Sequence, residues 1–151
     1  MDPGFQPLDV ELAPLPENVR VVHDGLRAFT DSYAGSVNAR PFAIFVRSPD
    51  GHVLGGLDGE LRWTWLFVAH LWLPEALRGR GIGSALLARA ESFAREQGCS
   101  AAYLDTLEFQ ALSFYQRRGY GTYGVLEGFP PGSRRYYLQK QLNGESPRAA
   151  T

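Results

Sequence analysis

The chain has 151 residues, of which 44% are hydrophobic and 21% are charged, and its formal net charge is −1. This length suits one domain with a single core, and the near-neutral charge argues against nucleic acid as the main partner. No stretch approaches the roughly 20 apolar residues of a membrane span, and the acidic, proline-rich N-terminus differs from a signal peptide.

The ends of the chain and its cysteine content suggest a simple organisation. We predict a single domain over residues 1–142, with a frayed segment over residues 1–8 and a disordered tail over residues 143–151. Cys99 is the one cysteine and cannot form an internal disulfide, which favours a reducing, cytoplasmic location. No His, Cys and carboxylate residues have the spacing of metal ligands, so no metal is predicted.

The N-terminal half is predicted to contain a helix followed by three strands. Apolar residues spaced along one helical face predict the helix, and the sequence Ser-Pro-Asp-Gly predicts a hairpin turn between the first two strands. A long apolar run rich in tryptophan predicts a third strand, buried on both faces near its end. The predicted elements are a helix over residues 16–33 and strands over residues 41–47, 52–57 and 61–73.

The C-terminal half is predicted to contain two helices and three strands. Its first helix has an apolar stripe and a water-facing side on which Glu91 and Arg95 form an i,i+4 pair. This order of elements predicts an α/β fold with a mixed sheet covered by helices and one parallel strand pair. The predicted elements are helices over residues 81–97 and 110–118, and strands over residues 101–106, 120–126 and 134–141.

The segment Arg78-Gly79-Arg80-Gly81-Ile82-Gly83 predicts a phosphate-binding site. Glycines at alternate positions let the backbone come close to a ligand. The free N–H groups of the following helical turn favour an anion, and the two arginines add positive charge. A plain glycine-rich turn with solvated arginines is the competing interpretation, but the position between an apolar strand and an amphipathic helix favours a ligand.

Two other phosphate ligands also bind glycine-rich loops. A nucleoside triphosphate loop needs a lysine after its last glycine, whereas Ser84 follows Gly83 and the one lysine is Lys140. A nicotinamide dinucleotide loop fits better, because Asp105 ends the next strand. However, residues 74–77 separate the glycines from their strand and little chain follows Asp105, so we rank this ligand second.

Two motifs resemble those of a known enzyme family. Arg78-x-x-Gly81-x-Gly83 is similar to the Arg/Gln-x-x-Gly-x-Gly/Ala motif of the GNAT superfamily of N-acetyltransferases, and residues 114–120 resemble its Phe/Leu-Tyr-x-x-x-Gly-Phe/Tyr segment. The likeness covers about residues 42–142. Residues 70–73, together with residues 104–106 and 109–111, resemble a bacterial subgroup of general, poorly defined acetyltransferases. It implies a GNAT-like fold: a central, mostly antiparallel sheet with one splayed parallel strand pair and helices on both faces.

The resemblance also implies acetyl-CoA as cosubstrate and assigns residues to it. The amides of residues 79–84 would bind the CoA pyrophosphate, and backbone groups of Leu71 and Leu73 would bind the pantetheine arm. Tyr115 would be the general acid. The implied cofactor-binding residues are Leu71, Leu73, Arg78, Gly79, Arg80, Gly81, Ile82, Gly83, Ser84 and Tyr115.

An amine acceptor also needs a base, because most amines are protonated at neutral pH. The candidates are His70, Glu108 and Asp105. His70 lies in an apolar run, where a hydrogen-bonded core histidine is the more common role, and Asp105 could instead cap the turn after its strand. Glu108 stands near a position where many family members carry Asn.

We therefore predict an N-acetyltransferase that transfers the acetyl group of acetyl-CoA directly to a primary amine of a small molecule or peptide in a ternary complex. The alternative is an acyl-CoA-binding domain without turnover. We expect residues 19–33 and the loops around residues 56–62 and 127–135 to recognise the acceptor, and the acidic residues there to favour a cation. Homodimers are common in this fold, so a homodimer is possible.

Overall fold

The computed structural model describes residue 4 and residues 6–143. The expectations of fraying at residues 1–3 and 5 and of a disordered tail over residues 144–151 lie outside the described residues. The chain divides into two compact units, Met1–Val37 and Asn38–Thr151, and each is described by itself. The single domain over residues 1–142 stays a prediction.

The first unit contains the predicted N-terminal helix, α1, which covers Pro16–Ala34. Pro16 suits the first helical turn, where its missing N–H costs no hydrogen bond. The helix ends at Gly35, whose N–H donates to the carbonyl of Asp31 at 3.1 Å and whose φ is +70°. Among the described helices of either unit, none is long and apolar enough to traverse a bilayer.

The second unit is built on a mixed sheet and two helices. The strands are β1 Arg40–Arg47, β2 Val53–Arg62, β3 Trp65–Trp72, β4 Ala101–Leu107, β5 Gly121–Glu127 and β6 Arg134–Gln141, and the helices are α2 Ile82–Glu96 and α3 Leu112–Gln116. The strand order in the sheet is β1-β2-β3-β4-β6-β5. Among the described strands, β3 and β4 run parallel and all other neighbours run antiparallel, which confirms the predicted mixed sheet.

One predicted strand is wrong. Residues 61–73 do not form a single strand, because β2 continues to Arg62 and a tight turn at Trp63 and Thr64 precedes β3. Trp63 takes a left-handed conformation with φ +47°. Turn positions with this conformation are normally occupied by Gly, Asn or Asp. Residues 56–62, which we expected to be a loop, therefore lie within β2.

A β-bulge in β3 decides which way the end of that strand faces. Val68 pairs with Gly59 of β2 and His70 pairs with Asp58, so Ala69 is an extra residue without a partner in the register. A bulge shifts the alternation of side chains by one residue. Val68 is buried whereas His70 and Trp72 are exposed, so the expected burial on both faces near the end of this strand is wrong.

The parallel pair is short. Three residues of β3, from Trp65 to Phe67, are in register with residues 101–103 of β4. Beyond Phe67 the described strands diverge, while β4 stays paired with β6 as far as Leu107. The predicted splay of the parallel pair is therefore present, and it leaves the edges of β3 and β4 that face each other without strand partners.

The core lies between α2 and the sheet. Leucines of β2 and β3 pack against the apolar stripe of α2, and burying each such side chain contributes about 1.5–3 kcal/mol. Cys99 is fully buried, as expected for a packing residue. The largest fully buried side chains are Leu57, Leu61, Leu66, Leu87, Leu104, Leu138 and Cys99.

Glu91 is buried, so its predicted exposure on the water-facing side of α2 is wrong. Only 5% of the residue is exposed. The Lys140 ammonium group lies 2.8 and 3.0 Å from its two carboxylate oxygens, the Tyr120 hydroxyl donates to it at 3.0 Å, and Arg95 lies 3.7 Å away. Burial and this carboxylate raise the pKa of Tyr120 well above its usual value. The three donors that surround the carboxylate compensate for its burial in the core.

We expect Lys140→Met to destabilise the protein by about 3–5 kcal/mol, because it leaves the Glu91 carboxylate buried without its ammonium partner. Urea unfolding of the variant and the parent protein measures the difference. Arg89→Met, on the exposed side of α2, is the control, and it should change stability by less than about 0.5 kcal/mol. The double variant Glu91→Leu/Lys140→Met should recover much of the loss. A Lys140→Met protein as stable as Arg89→Met would contradict this account.

Candidate active site

The gap between the diverging strands is a cleft of about 1130 Å³. We call it the β3–β4 cleft. It is lined by Phe67–Trp72 of β3 and by Leu73, the residue after that strand, by residues of the glycine segment and the first turn of α2, and by the end of β4, α3, Phe129 and Arg135. A cavity of this volume is large enough for an extended small-molecule ligand.

The glycine segment presents backbone N–H groups to the cleft. Gly79 and Gly81 have φ values of +69° and +78°, so these two positions require the left-handed region that glycine adopts without strain. Gly81 is the N-cap of α2. No described residue accepts a hydrogen bond from the N–H groups of residues 79–84, and the helix dipole adds partial positive charge there. The segment is therefore suited to bind a phosphate.

The arginines of the segment differ in their positions. The Arg78 side chain lines the cleft and donates from Nε to the carbonyl of Leu73 at 2.9 Å, which ties the glycine segment to the end of β3. Arg80 is exposed and is not among the lining residues. Ile82 packs against the core, so its side chain has a structural role.

Arg118 is a cleft residue that the sequence analysis missed. Its guanidinium lies 3.8 Å from the centroid of the Phe114 ring, its Nη1 donates to the Phe114 carbonyl at 2.9 Å, and its Nε donates to the Ser84 hydroxyl at 2.6 Å. A Cβ atom added to Gly83 would lie 3.4 Å from the same Phe114 ring. Arg118 thus adds a full positive charge beside the first turn of α2. The feature of the sequence that could have indicated this residue is the Arg-Arg pair inside the second motif.

Tyr115 is held on the inner wall of the cleft. The residue is 6% exposed, and its ring makes edge contacts with Phe114 and Tyr120 at 5.1 and 5.7 Å between centroids. Burial, together with the negative charge of Asp105, raises the pKa of Tyr115 to about 12. The hydroxyl therefore keeps its proton at neutral pH, as a proton donor must.

Asp105 pairs with Arg135 inside the cleft. The Arg135 Nε donates to the Asp105 carboxylate at 2.8 Å, and the same guanidinium lies 4.8 Å from the centroid of the Phe129 ring. The carboxylate therefore holds β6 and the segment before it, rather than capping the turn after β4. Arg135 and Phe129 were expected only as parts of a variable loop.

The candidate bases lie in different places. His70 lines the β3–β4 cleft and is exposed, and its Nδ1 lies 2.9 Å from Asp58 Oδ1, so the expectation of a core histidine is wrong because of the bulge at Ala69. Glu108 lines a separate, smaller cavity, where its carboxylate lies 3.8 Å from Arg134. The structure therefore brings His70 and Tyr115 to one cleft and leaves Glu108 outside it.

Comparison with known proteins identifies the family. A sequence model of the acetyltransferase (GNAT) family matches residues 12–120. The chain belongs to this family. It is 42% identical over 110 residues to the blasticidin-S acetyltransferase of Streptomyces morookaense, covering 70% of this chain and 81% of that protein. It is 38% identical over 126 residues to an acetyltransferase of Agrobacterium fabrum, covering 83% and 92%.

A solved structure supports the same assignment. A protein from Agrobacterium tumefaciens, described as an acetyltransferase, matches with a TM-score of 0.84 and 35% identity, covering 90% of this chain and 99% of that chain. The GNAT family uses acetyl-CoA as cosubstrate, so this GNAT protein is an acetyl-CoA-dependent acetyltransferase. The free N–H groups of the glycine segment and the nearby Arg118 are the donors that a pyrophosphate needs.

The position of Arg118 predicts a loss of CoA affinity on substitution. We expect Arg118→Met to raise the dissociation constant of CoA about tenfold or more, because a charge-assisted hydrogen bond is worth about 1.5–3 kcal/mol. Isothermal titration with CoA measures the change. Arg89→Met, on the exposed side of α2, should leave the affinity within about twofold. Equal affinities for Arg118→Met and the parent GNAT protein would show that Arg118 serves packing alone.

Proposed function

We propose that this GNAT protein transfers the acetyl group of acetyl-CoA directly to a primary amine of a small molecule or peptide, within a ternary complex. The observation that carries the proposal is the shared β3–β4 cleft, which is lined by residues of the glycine segment together with Tyr115 and His70. Holding two substrates together in such a space supplies much of the acceleration, because the thioester is already reactive.

The cosubstrate site follows from the divergence of β3 and β4. The pyrophosphate is assigned to the N–H groups of residues 79–84, with Arg118 beside them. Leu71 lies on the part of β3 that has no β4 partner, so its backbone groups on that side are available to the amides of a pantetheine arm. Leu73 directly follows β3, and its carbonyl already accepts a hydrogen bond from Arg78, so it contributes its N–H group. An arm bound there brings its thioester toward Tyr115.

Acetyl-CoA supplies the reactive acetyl thioester. The Tyr115 hydroxyl is protonated at neutral pH because its pKa is about 12, and it donates its hydrogen bond to the sulfur as the carbon–sulfur bond breaks. We assign the Leu73 N–H the role of polarising the acetyl carbonyl oxygen. His70 accepts the proton that the attacking amine loses. Glu108 lies in another cavity, so we do not assign it this role.

We infer a cationic acceptor with an apolar or planar part, bound at the His70 end of the cleft. Asp58 lies against His70 there, and a carboxylate attracts an ammonium group. The Asp105 carboxylate is already paired with Arg135. The rings of Trp72, Phe109 and Phe129 line the same cleft and are exposed, so they offer apolar faces to an acceptor. The relative from Streptomyces morookaense is named for blasticidin S, which makes this antibiotic a first acceptor to test.

An acceptor screen tests the proposed function. Acetyl-CoA consumption is measured with a panel of polyamines, aminoglycosides, blasticidin S and peptides with a free N-terminus, and the product is identified by mass. Matched alcohols and carboxylic acids serve as controls. We expect acetylation of one or more amines and of none of the controls. Binding of acetyl-CoA without consumption by any amine would support a binding domain without turnover, and acetylation of the controls alone would exclude an amine acceptor.

We expect Tyr115→Phe to lower kcat by about 100-fold or more, because it removes one preorganised hydrogen-bond donor from the departing sulfur. The KM for acetyl-CoA should change by less than about threefold, since the phenyl ring keeps its contacts with Phe114 and Tyr120. Steady-state kinetics with the best acceptor measures both constants. Tyr123→Phe, on the exposed strand β5, is the matched control and should be fully active. An active Tyr115→Phe enzyme would exclude the proton-donor role.

A further inference from the structure

The bulge in β3 creates a cross-strand pair that the sequence gives no hint of. Because Ala69 has no partner, His70 lies directly opposite Asp58 of β2. The His70 Nδ1 atom is 2.9 Å from Asp58 Oδ1. His70 is a lining residue of the β3–β4 cleft, and Asp58 is not. One ring nitrogen of the imidazole therefore contacts a carboxylate outside the lining of the cleft, while His70 itself is a lining residue.

We propose that Asp58 is a positioning residue that holds His70 in the tautomer with its proton on Nδ1. An ionised carboxylate can only accept a hydrogen bond, so the nitrogen that faces Asp58 carries the proton and Nε2 keeps its lone pair. A carboxylate behind an imidazole fixes both the tautomer and the orientation of the ring. The inference rests on the proposed function, in which His70 accepts the amine proton.

The pair contributes little to folding. The side chain of His70 is 80% exposed and that of Asp58 is 50% exposed, and exposed ion pairs add little to stability. A second pair of the same type, His52 and Asp50 at 2.7 Å, lies in the turn between β1 and β2, away from the cleft. The two pairs share chemistry and exposure, and they differ in their relation to the cleft. The second pair is therefore the matched control.

The other titratable groups of the cleft are unsuited to accept this proton. Its arginines stay protonated at any working pH, and the Tyr115 hydroxyl already carries its proton. The Asp105 carboxylate is paired with Arg135. Among the lining residues, His70 is the one whose neutral side chain offers a nitrogen lone pair to the amine proton.

The proton movements balance with these assignments. The acceptor attacks as the neutral amine, after its ammonium form has lost one proton to water. As the amine nitrogen forms its bond to the acetyl carbon, Nε2 of His70 takes one proton from that nitrogen. As the carbon–sulfur bond breaks, its electron pair goes to sulfur, and the Tyr115 hydroxyl gives one proton to it. Both residues return to their starting states by exchange with water. Asp58 takes part in no transfer and keeps the imidazole in place.

The test compares Asp58→Asn with Asp50→Asn. For Asp58→Asn we expect kcat to fall about tenfold or more, the KM for acetyl-CoA to stay within about twofold, and two-dimensional ¹⁵N NMR to show His70 losing its preference for a proton on Nδ1. Asp50→Asn should keep the parent kcat and the parent His70 spectrum. Asp58→Glu should recover kcat to within about threefold of the parent, because it restores a carboxylate acceptor.

Two outcomes would overturn the inference, and they are distinguishable. If the parent enzyme acetylates an amine and Asp58→Asn keeps its kcat and its His70 tautomer, Asp58 does not position the base, while the proposed function stands. If the parent enzyme acetylates no amine, the proposed function fails and the role of Asp58 fails with it. The variant His70→Ala tests the base separately from Asp58, because full activity in that variant would exclude the imidazole as base.

Discussion

The site depends on the early end of pairing between two parallel strands. After three paired residues, β3 and β4 separate. Strands that separate lose the backbone hydrogen bonds between them. Here each strand keeps a partner on its other side, because β3 stays with β2 and β4 stays with β6. The divergence therefore leaves free backbone groups only toward the cleft. A substrate arm with amide groups can occupy the place of the missing strand.

The other parts of the site are arranged around this opening. The glycine segment and α2 follow β3 and carry free N–H groups to one end of the cleft, and Arg78 fixes that segment to the carbonyl of Leu73. Tyr115 on α3 and the Asp105–Arg135 pair form the wall on the β4 side. The bulge at Ala69 turns His70 toward the cleft. The proposed roles in phosphate binding, proton donation and proton acceptance therefore belong to three separate elements.

Features encoded by neighbouring residues could be predicted from the sequence, and features that depend on distant contacts could not. The helix α2, its glycine N-cap and the β3–α2–β4 unit follow from local patterns. The turn at Trp63 has no glycine or asparagine to indicate it, and the bulge at Ala69 exists only in the register with β2. The burial of Glu91 depends on Lys140, which is 49 residues away. The bulge explains why the prediction of a core histidine at His70 was wrong, and the turn explains why residues 56–62 were wrongly predicted to be a loop.

The most direct test of the central claim is hydrogen exchange of backbone amides with and without CoA. We expect slower exchange at residues 79–84 and at Leu71 and Leu73 when CoA is bound, because CoA becomes the hydrogen-bond partner of these N–H groups. Amides of α2 beyond its first turn should serve as the unchanged reference. Protection confined to other segments, or no protection at saturating CoA, would contradict the assignment of the β3–β4 cleft as the cosubstrate site.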